Sequence, residues 1–288
     1  MTSLTLAAGP ARRRRTAWVP TLVLVLGALY CLIPVVWVVM AATKSRAELF
    51  STFTLAPGTG FLDNVHDLSR YRDGIYWQWM ANSALYAGVG ALLSTMVSAA
   101  GGYALGRFAF RGREFVFKLM LAGVLVPGII LSVPQYLMLS KMGLADTYWS
   151  MLLPSILSPY GVYLMRIYAN AAVPGELLEA ARMDGAGEWR IFSRIAVPMM
   201  VPGLITVFLF QFVGIWNNFL LPYVMLADDT KFPLTLGLYT LLAQGASQPA
   251  LYTLVITGCL LAILPLIGLF LVIQRFWSLD LLSGSIKA

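Results

Sequence analysis

The chain has 288 residues, 59% of them hydrophobic and only 11% charged, with a formal net charge of +7. A soluble domain carries about 25% charged residues, so this composition excludes an ordinary soluble fold and points to an integral membrane protein. In that class an excess of basic residues is first a topology signal and implies no nucleic acid partner.

Residues 1–16 form a short polar tail that includes Arg12–Arg15. Six uncharged, strongly apolar segments follow: Ala17–Ala42, Trp79–Gly106, Leu119–Ser140, Thr147–Met165, Ile195–Ala227 and Leu251–Ile273. A bilayer core takes ~20 apolar residues in helix. Uncharged runs of this length satisfy their backbone in lipid only as helices. The expected fold class is therefore all-α, with six transmembrane helices. The first segment resembles a secretory signal, but its apolar run is too long and no convincing cleavage site follows. It is expected to be a retained helix.

Between the first two segments lies a mixed, polar stretch, 43–78, with Pro57-Gly58 and Gly60 as turn signals. It holds the single histidine, His66, near Asp63 and Asp67; three such residues in a loop read as solvated surface, and no metal site is expected. Tyr76, Trp77 and Trp79 fit an interfacial aromatic belt. In the second segment Gly88, Gly90, Gly101 and Gly102 allow close helix packing. Prolines 34, 127, 134, 154, 159, 222 and 265 interrupt the segments and fit helices that bend. Cys31 and Cys259 sit in apolar runs with no CxxC or histidine beside them, which reads as packing.

Placing the N-terminus in the cytoplasm puts fourteen of the twenty basic residues on the cytoplasmic side. Both termini are then inside, and so is the segment 174–197 between the fourth and fifth spans. That segment has the grammar of two helices. Pro174-Gly175 opens it, with Glu176 and Glu179 near a helix N-terminus. Asp184-Gly185 is a helix stop, glycine being free to turn left-handed. A second helix is expected from Ala186 to Ile195, with Ile191, Phe192 and Ile195 tying it to the bundle. Ala180 and Ala181 are small enough for a partner surface to approach, and Pro198 and Pro202 sit where the next span begins.

The fifth span carries Gln211, Trp216, Asn217 and Asn218, the candidates for a solute pathway; amides of this kind also bond helices to one another. No span has an ionisable residue in its centre, which argues against a proton- or sodium-coupled carrier. There is no GxxxxGK[ST] phosphate loop, HExxH or GxSxG, so neither nucleotide binding nor enzyme chemistry is expected in this chain.

The run Glu179-Ala180-Ala181, Asp184-Gly185-Ala186, Ile195 and Pro198 resembles the EAA loop of ABC importer permeases. The maltose-type, carbohydrate-uptake branch is most similar. The resemblance extends to Arg107-Phe108, Trp216–Phe219, Pro233-Leu234-Thr235 and the tail from Gln274 to Lys287, and it points to the second of two permease subunits. It implies a type I importer permease fold, residues 17–277, between tails 1–16 and 278–288, in a bacterial cell membrane. It implies that residues 174–197 dock into an ATPase subunit. The implied partners are a homologous permease, two ATPase subunits and an extracellular solute-binding protein. ATP and magnesium would sit in the ATPases, and this chain would hold no cofactor. The implied cargo is a sugar, an oligosaccharide by the branch; another solute such as glycerol phosphate or a polyamine stays open, and a secondary carrier is the distant alternative. Gln244, Ser247 and Gln248 fall where the resemblance places a loop that reaches into the binding protein.

Overall fold

A computed structural model describes residues 18–51 and 55–284, and among these every regular element is helical. The tail 1–16 and residues 285–288 lie outside the described residues. Helix α1 (Trp18–Ala42) is a continuous apolar helix that buries only Ala41 and Ala42 and presents most of its surface outward. Two short helices follow, α2 (Arg46–Ser51) and α3 (Phe61–Arg70). The chain then reverses through Arg72, Asp73 and Gly74, three consecutive residues with positive φ (47°, 56° and 84°), into α4.

Helix α4 (Ile75–Arg107) is the axis of the molecule. Its buried face is a row of small residues that includes Gly90, Ala91, Ser94, Ser98 and Gly102. A Cβ added at Gly102 would lie 2.5–2.7 Å from Met165 and the Arg166 backbone, so a glycine there sets how closely α8 approaches. Gly88 meets nothing within 4 Å.

The third expected span is two helices, α5 (Arg113–Leu125) and α6 (Gly128–Lys141), bent by 104°. The cause is Pro127. It lacks an N–H for the preceding turn, and it holds Val126 extended (φ −76°, ψ 119°). The fourth span is also divided, into α7 (Tyr148–Ile156) and α8 (Pro159–Ala172), with Leu157 and Ser158 extended before Pro159. Helices α9 (Gly175–Met183), α10 (Glu188–Ile191) and α11 (Val197–Met199) carry the next stretch, with a single wide turn, Phe192–Ala196, joining the last two. A 78° bend at Met200 then leads into α12 (Val201–Trp216). After α13 (Leu220–Met225) come α14 (Leu234–Gly245) and the long α15 (Leu251–Gly284), which runs on past residue 278.

Three of these helical stretches are long and apolar enough to cross a bilayer on their own, and five if each bent pair counts as one. The six uncharged segments of the sequence fold as three continuous helices and three broken ones. Proline at or beside each break removes a backbone donor and makes the chain change direction.

Two cores hold the bundle. One, at the end bearing residues 174–197, gathers Tyr103, Met165, Ala169, Val173, Ile191 and Met200. The other, at the opposite end, gathers Tyr76, Trp79, Tyr86, Trp216, Leu234 and Leu254. There α4 clamps the 226–234 crossing with side chains: Trp79 Nε1 donates to the Asp229 carbonyl at 2.7 Å, Asn82 Nδ2 to those of Thr230 and Phe232, and the Tyr86 hydroxyl to that of Lys231.

Candidate functional site

The 174–197 segment folds as helix, turn, helix. Helix α9 buries Leu178 and Ala181 against Tyr103, Met165 and Val173, and exposes Glu179, Ala180, Arg182 and Asp184. Its end is closed by two crossed bonds: Gly185 N donates to Arg182 O and Ala186 N to Ala181 O, each at 3.0 Å. This Schellman closure needs a left-handed residue at its corner, and Gly185 has φ +77°. Across the turn the Arg182 guanidinium grips Glu188 through two contacts, 2.7 and 3.4 Å. Glu188 stands in the first turn of the second helix, where a carboxylate also suits the helix dipole. Ile191 is completely buried and Ile195 half-buried, while Met183 and Trp189 stand 88% and 76% exposed on either side of the turn. Pro198 is exposed within α11.

The alanine pair divides. Ala180 faces out, as expected of a surface that a partner approaches; Ala181 faces in, where its small size lets α9 lie on α8. The second helix starts at Glu188 rather than Ala186, because Ala186 closes the first and Gly187, extended, is the N-cap whose carbonyl accepts from Arg190 and Ile191.

A second feature lies where the three broken spans meet. The α5–α6 break, the α7–α8 break and the α12–α13 junction line one cavity of about 600 Å³. Its polar lining comprises Ser132, Gln135, Ser155, Ser158, Gln211 and Asn218, with Tyr160 at the edge, and none of its lining residues is charged. The Gln211 amide donates to the Ser158 hydroxyl, which also accepts from Gly161 N and so caps α8. Asn218 Oδ1 accepts from Leu221 N at 3.2 Å and starts α13, while Thr235 holds the Asn218 carbonyl at 2.7 Å.

The four pathway candidates therefore separate. Gln211 and Asn218 share this cavity. Trp216 is buried and stacked on Phe212 (5.7 Å between centroids), and with Asn217 it lines a different, mostly apolar cavity of about 540 Å³. Asn217 spends its amide on its own helix, at Val213 O. Gln135, Ser132, Ser155 and Ser158 were missed by sequence reasoning. For Ser155 and Ser158 the signal was a polar side chain within a few residues of the helix-breaking Pro159; Ser132 and Gln135 flank Pro134, which α6 absorbs, and carried no such signal. Gln244, in the last turn of α14, and Ser247 and Gln248 just beyond it are exposed, with Ser247 Oγ and the amides of Ser247 and Gln248 all donating to Gln244 O.

At the same end, an ionic knot ties the 141–147 loop to the 226–234 crossing. Asp146 accepts from the amides of Ala227 and Asp228, and Lys231 lies 2.9 Å from Asp228 and 3.5 Å from Asp146. Hydrogen bonds from Lys231 and from the Thr230 hydroxyl and amide draw the Asp228 carboxyl down to about 2. Burial pushes Asp146 up, but the two amides and Lys231 outweigh it and leave its carboxyl below the usual range.

The sequence profile of the family described as "binding-protein-dependent transport system inner membrane component" matches residues 3–279. The chain is 34% identical to the arabinooligosaccharides transport system permease protein AraQ of Halalkalibacterium halodurans, over 94% of this chain and 96% of that one. It is 33% identical to the lactose transport system permease protein LacG of Rhizobium radiobacter (96% and 98%) and 29% identical to the diacetylchitobiose uptake system permease protein NgcG of Streptomyces coelicolor (91% and 86%). A chain in the crystal structure of a bacterial ABC transporter involved in the import of the acidic polysaccharide alginate has the same fold. The TM-score is 0.78 at 24% identity, over 93% of this chain and 99% of that one.

Proposed function

Since this chain belongs to the family of binding-protein-dependent transport system inner membrane components, we propose that it is the permease subunit of an ATP-driven importer that passes an oligosaccharide across a bacterial cell membrane. It is a multi-pass membrane component of a transporter and not an enzyme. Relatives named for arabinooligosaccharide, diacetylchitobiose and lactose transport support the cargo class. The finer arrangement is our reading. A solute-binding protein delivers sugar at the end bearing residues 226–248, with Gln244, Ser247 and Gln248 in reach of it. A second permease completes the pathway. Two ATPase subunits, holding ATP and magnesium, grip the 174–197 end, and both termini face the cytoplasm.

One observation carries this assignment: the helix–turn–helix is anchored on one side only. Leu178, Ala181 and Ile191 fix it to the bundle, while Glu179, Ala180, Met183, Asp184 and Trp189 are exposed, the Trp189 ring lying beside Phe192 at its base. An acidic, partly apolar knob on a rigid base is suited to receive force from a groove. The test is a reconstituted complex carrying Glu179→Cys, with cysteines introduced around the ATPase groove. Crosslinking that depends on the nucleotide state, together with sugar uptake blocked by the crosslink, is the expected result. A complex that imports sugar at full rate with the knob crosslinked elsewhere, or never crosslinked, removes the coupling assignment.

The uncharged cavity weighs against glycerol phosphate or a polyamine, since either charge would be desolvated there without a partner.

A further inference from the structure

Three breaks in three different helices converge on one space. Pro127 closes off α5, Pro159 opens α8, and Asn217–Phe219 separates α12 from α13. Irregular backbone at membrane depth is tolerated where it lines a hydrated cavity, and discontinuous helices mark solute sites for that reason. Pro159 has no N–H to offer the Ser155 carbonyl, and Pro127 none for that of Gly123. The breaks therefore add backbone acceptors to a lining already supplied with amides and hydroxyls.

That lining has a definite chemical character. Gln135, Gln211 and Asn218 each carry both a donor and an acceptor on one amide, and Ser132, Ser155 and Ser158 do so on one hydroxyl. A sugar hydroxyl also donates and accepts, so such groups match it in either orientation. Among the described residues the Gln135 amide makes no hydrogen bond and is left free for a solute. With no arginine, lysine or histidine in the lining, a carboxylate entering it would lose its water and gain no counter-charge. The volume, about 600 Å³, falls in the range of small-molecule sites.

We propose that this cavity is a saccharide-contact site belonging to this subunit, and that it selects neutral sugars over acidic ones. The proposal rests on the importer reading but is separable from it. Selection would then be made within the membrane as well as by the binding protein. The two amides from facing helices, Gln135 on α6 and Gln211 on α12, are its specificity-determining residues.

The experiment uses the assembled complex in lipid nanodiscs, with Cys31 and Cys259 replaced by serine and Leu157→Cys as a reporter on the cavity wall. Methyl methanethiosulfonate, an uncharged reagent, labels the reporter. Arabinotriose and lactose are expected to slow labelling, while trimannuronate at the same concentration leaves it unchanged. In Gln211→Ala the sugar concentration that protects should rise at least tenfold. Because Gln211 also holds Ser158, Gln135→Ala is tested beside it; Gln135 makes no hydrogen bond among the described residues, so its loss reads contact alone. Failure of both neutral sugars to protect overturns the proposal. So does equal protection by trimannuronate, or protection unchanged in both variants. ATP-driven uptake with the sugar-loaded binding protein is measured on the same complexes. Uptake without protection sinks the cavity and leaves the importer; no uptake of any sugar sinks the importer reading instead.

Discussion

At Gly185 a single backbone angle decides whether two helices can be adjacent. Nothing lies within 4 Å of where its Cβ would be, so substitutions there report conformation and not collision. A left-handed residue other than glycine costs ~1–2 kcal/mol, least for asparagine. Uptake by the reconstituted complex should therefore fall in the order Gly, Asn, Ala, Val, reaching roughly five- to thirty-fold at the far end if the whole cost appears in the rate. Equal activity for alanine and asparagine would mean the turn tolerates another shape. Gly102 is the opposite case, since its three nearest neighbours are close and two of them are backbone atoms. Gly102→Ala should destabilise the protein by about 1–3 kcal/mol, and Gly88→Ala, with open space around it, should leave the melting temperature where it was. Gly185 was legible in the sequence, because a glycine after Asp184 between two amphipathic stretches has few other uses. Gly102 and Gly88 were not distinguishable. Which glycine faces a neighbour depends on how α4 is rotated against α8, and a helix made almost wholly of small and apolar residues gives little sign of that rotation.

The elements were legible in number and order more than in shape. The prolines were visible, but not which would bend a span and which would be absorbed. Pro34 and Pro265 lie inside continuous helices, while Pro127 accompanies a 104° change of direction. The difference lies in what surrounds them. Pro127 is flanked by Val124 and Gly128, which line the cavity, where freed carbonyls can be hydrated. The polar residues of the cavity are not legible from any one segment, because the cavity is assembled from three. The loop–crossing knot invites a test at this scale. Asp228 and Asp146 have folded-state values below the ordinary carboxylate range of about 3.9, so the unfolded chain binds more protons as the medium is acidified. Their contribution to stability is then complete above about pH 4 and is lost as pH falls toward about 2. Thermal unfolding in nanodiscs should show a decline through this window that is shallower in Asp146→Asn. A decline as steep as the wild type's would place the acid sensitivity elsewhere.

For the whole molecule, the positively charged residues predict a direction through the membrane. With the native cysteines replaced, Leu62→Cys and Met183→Cys are both well exposed, at opposite ends of the bundle. An impermeant thiol reagent added to intact cells should label the first and spare the second, and labelling of both, or of Met183→Cys alone, refutes the orientation. The architecture also dictates an order of assembly. Tyr76 bonds to the Gly258 carbonyl, 182 residues on, and Asn82, Ser83 and Tyr86 to backbone between 145 and 151 residues on. While the chain is being made, α4 enters the bilayer with these polar groups unmatched, and stays so until the far segments leave the ribosome. The second span is thus inserted on credit, exposed to membrane proteases for the time it takes to translate half of the protein. Nascent chains halted before residue 226 should be degraded faster in a pulse–chase than chains halted after residue 260. The clamp that makes the finished permease rigid is also what leaves its unfinished form recognisable as unfinished.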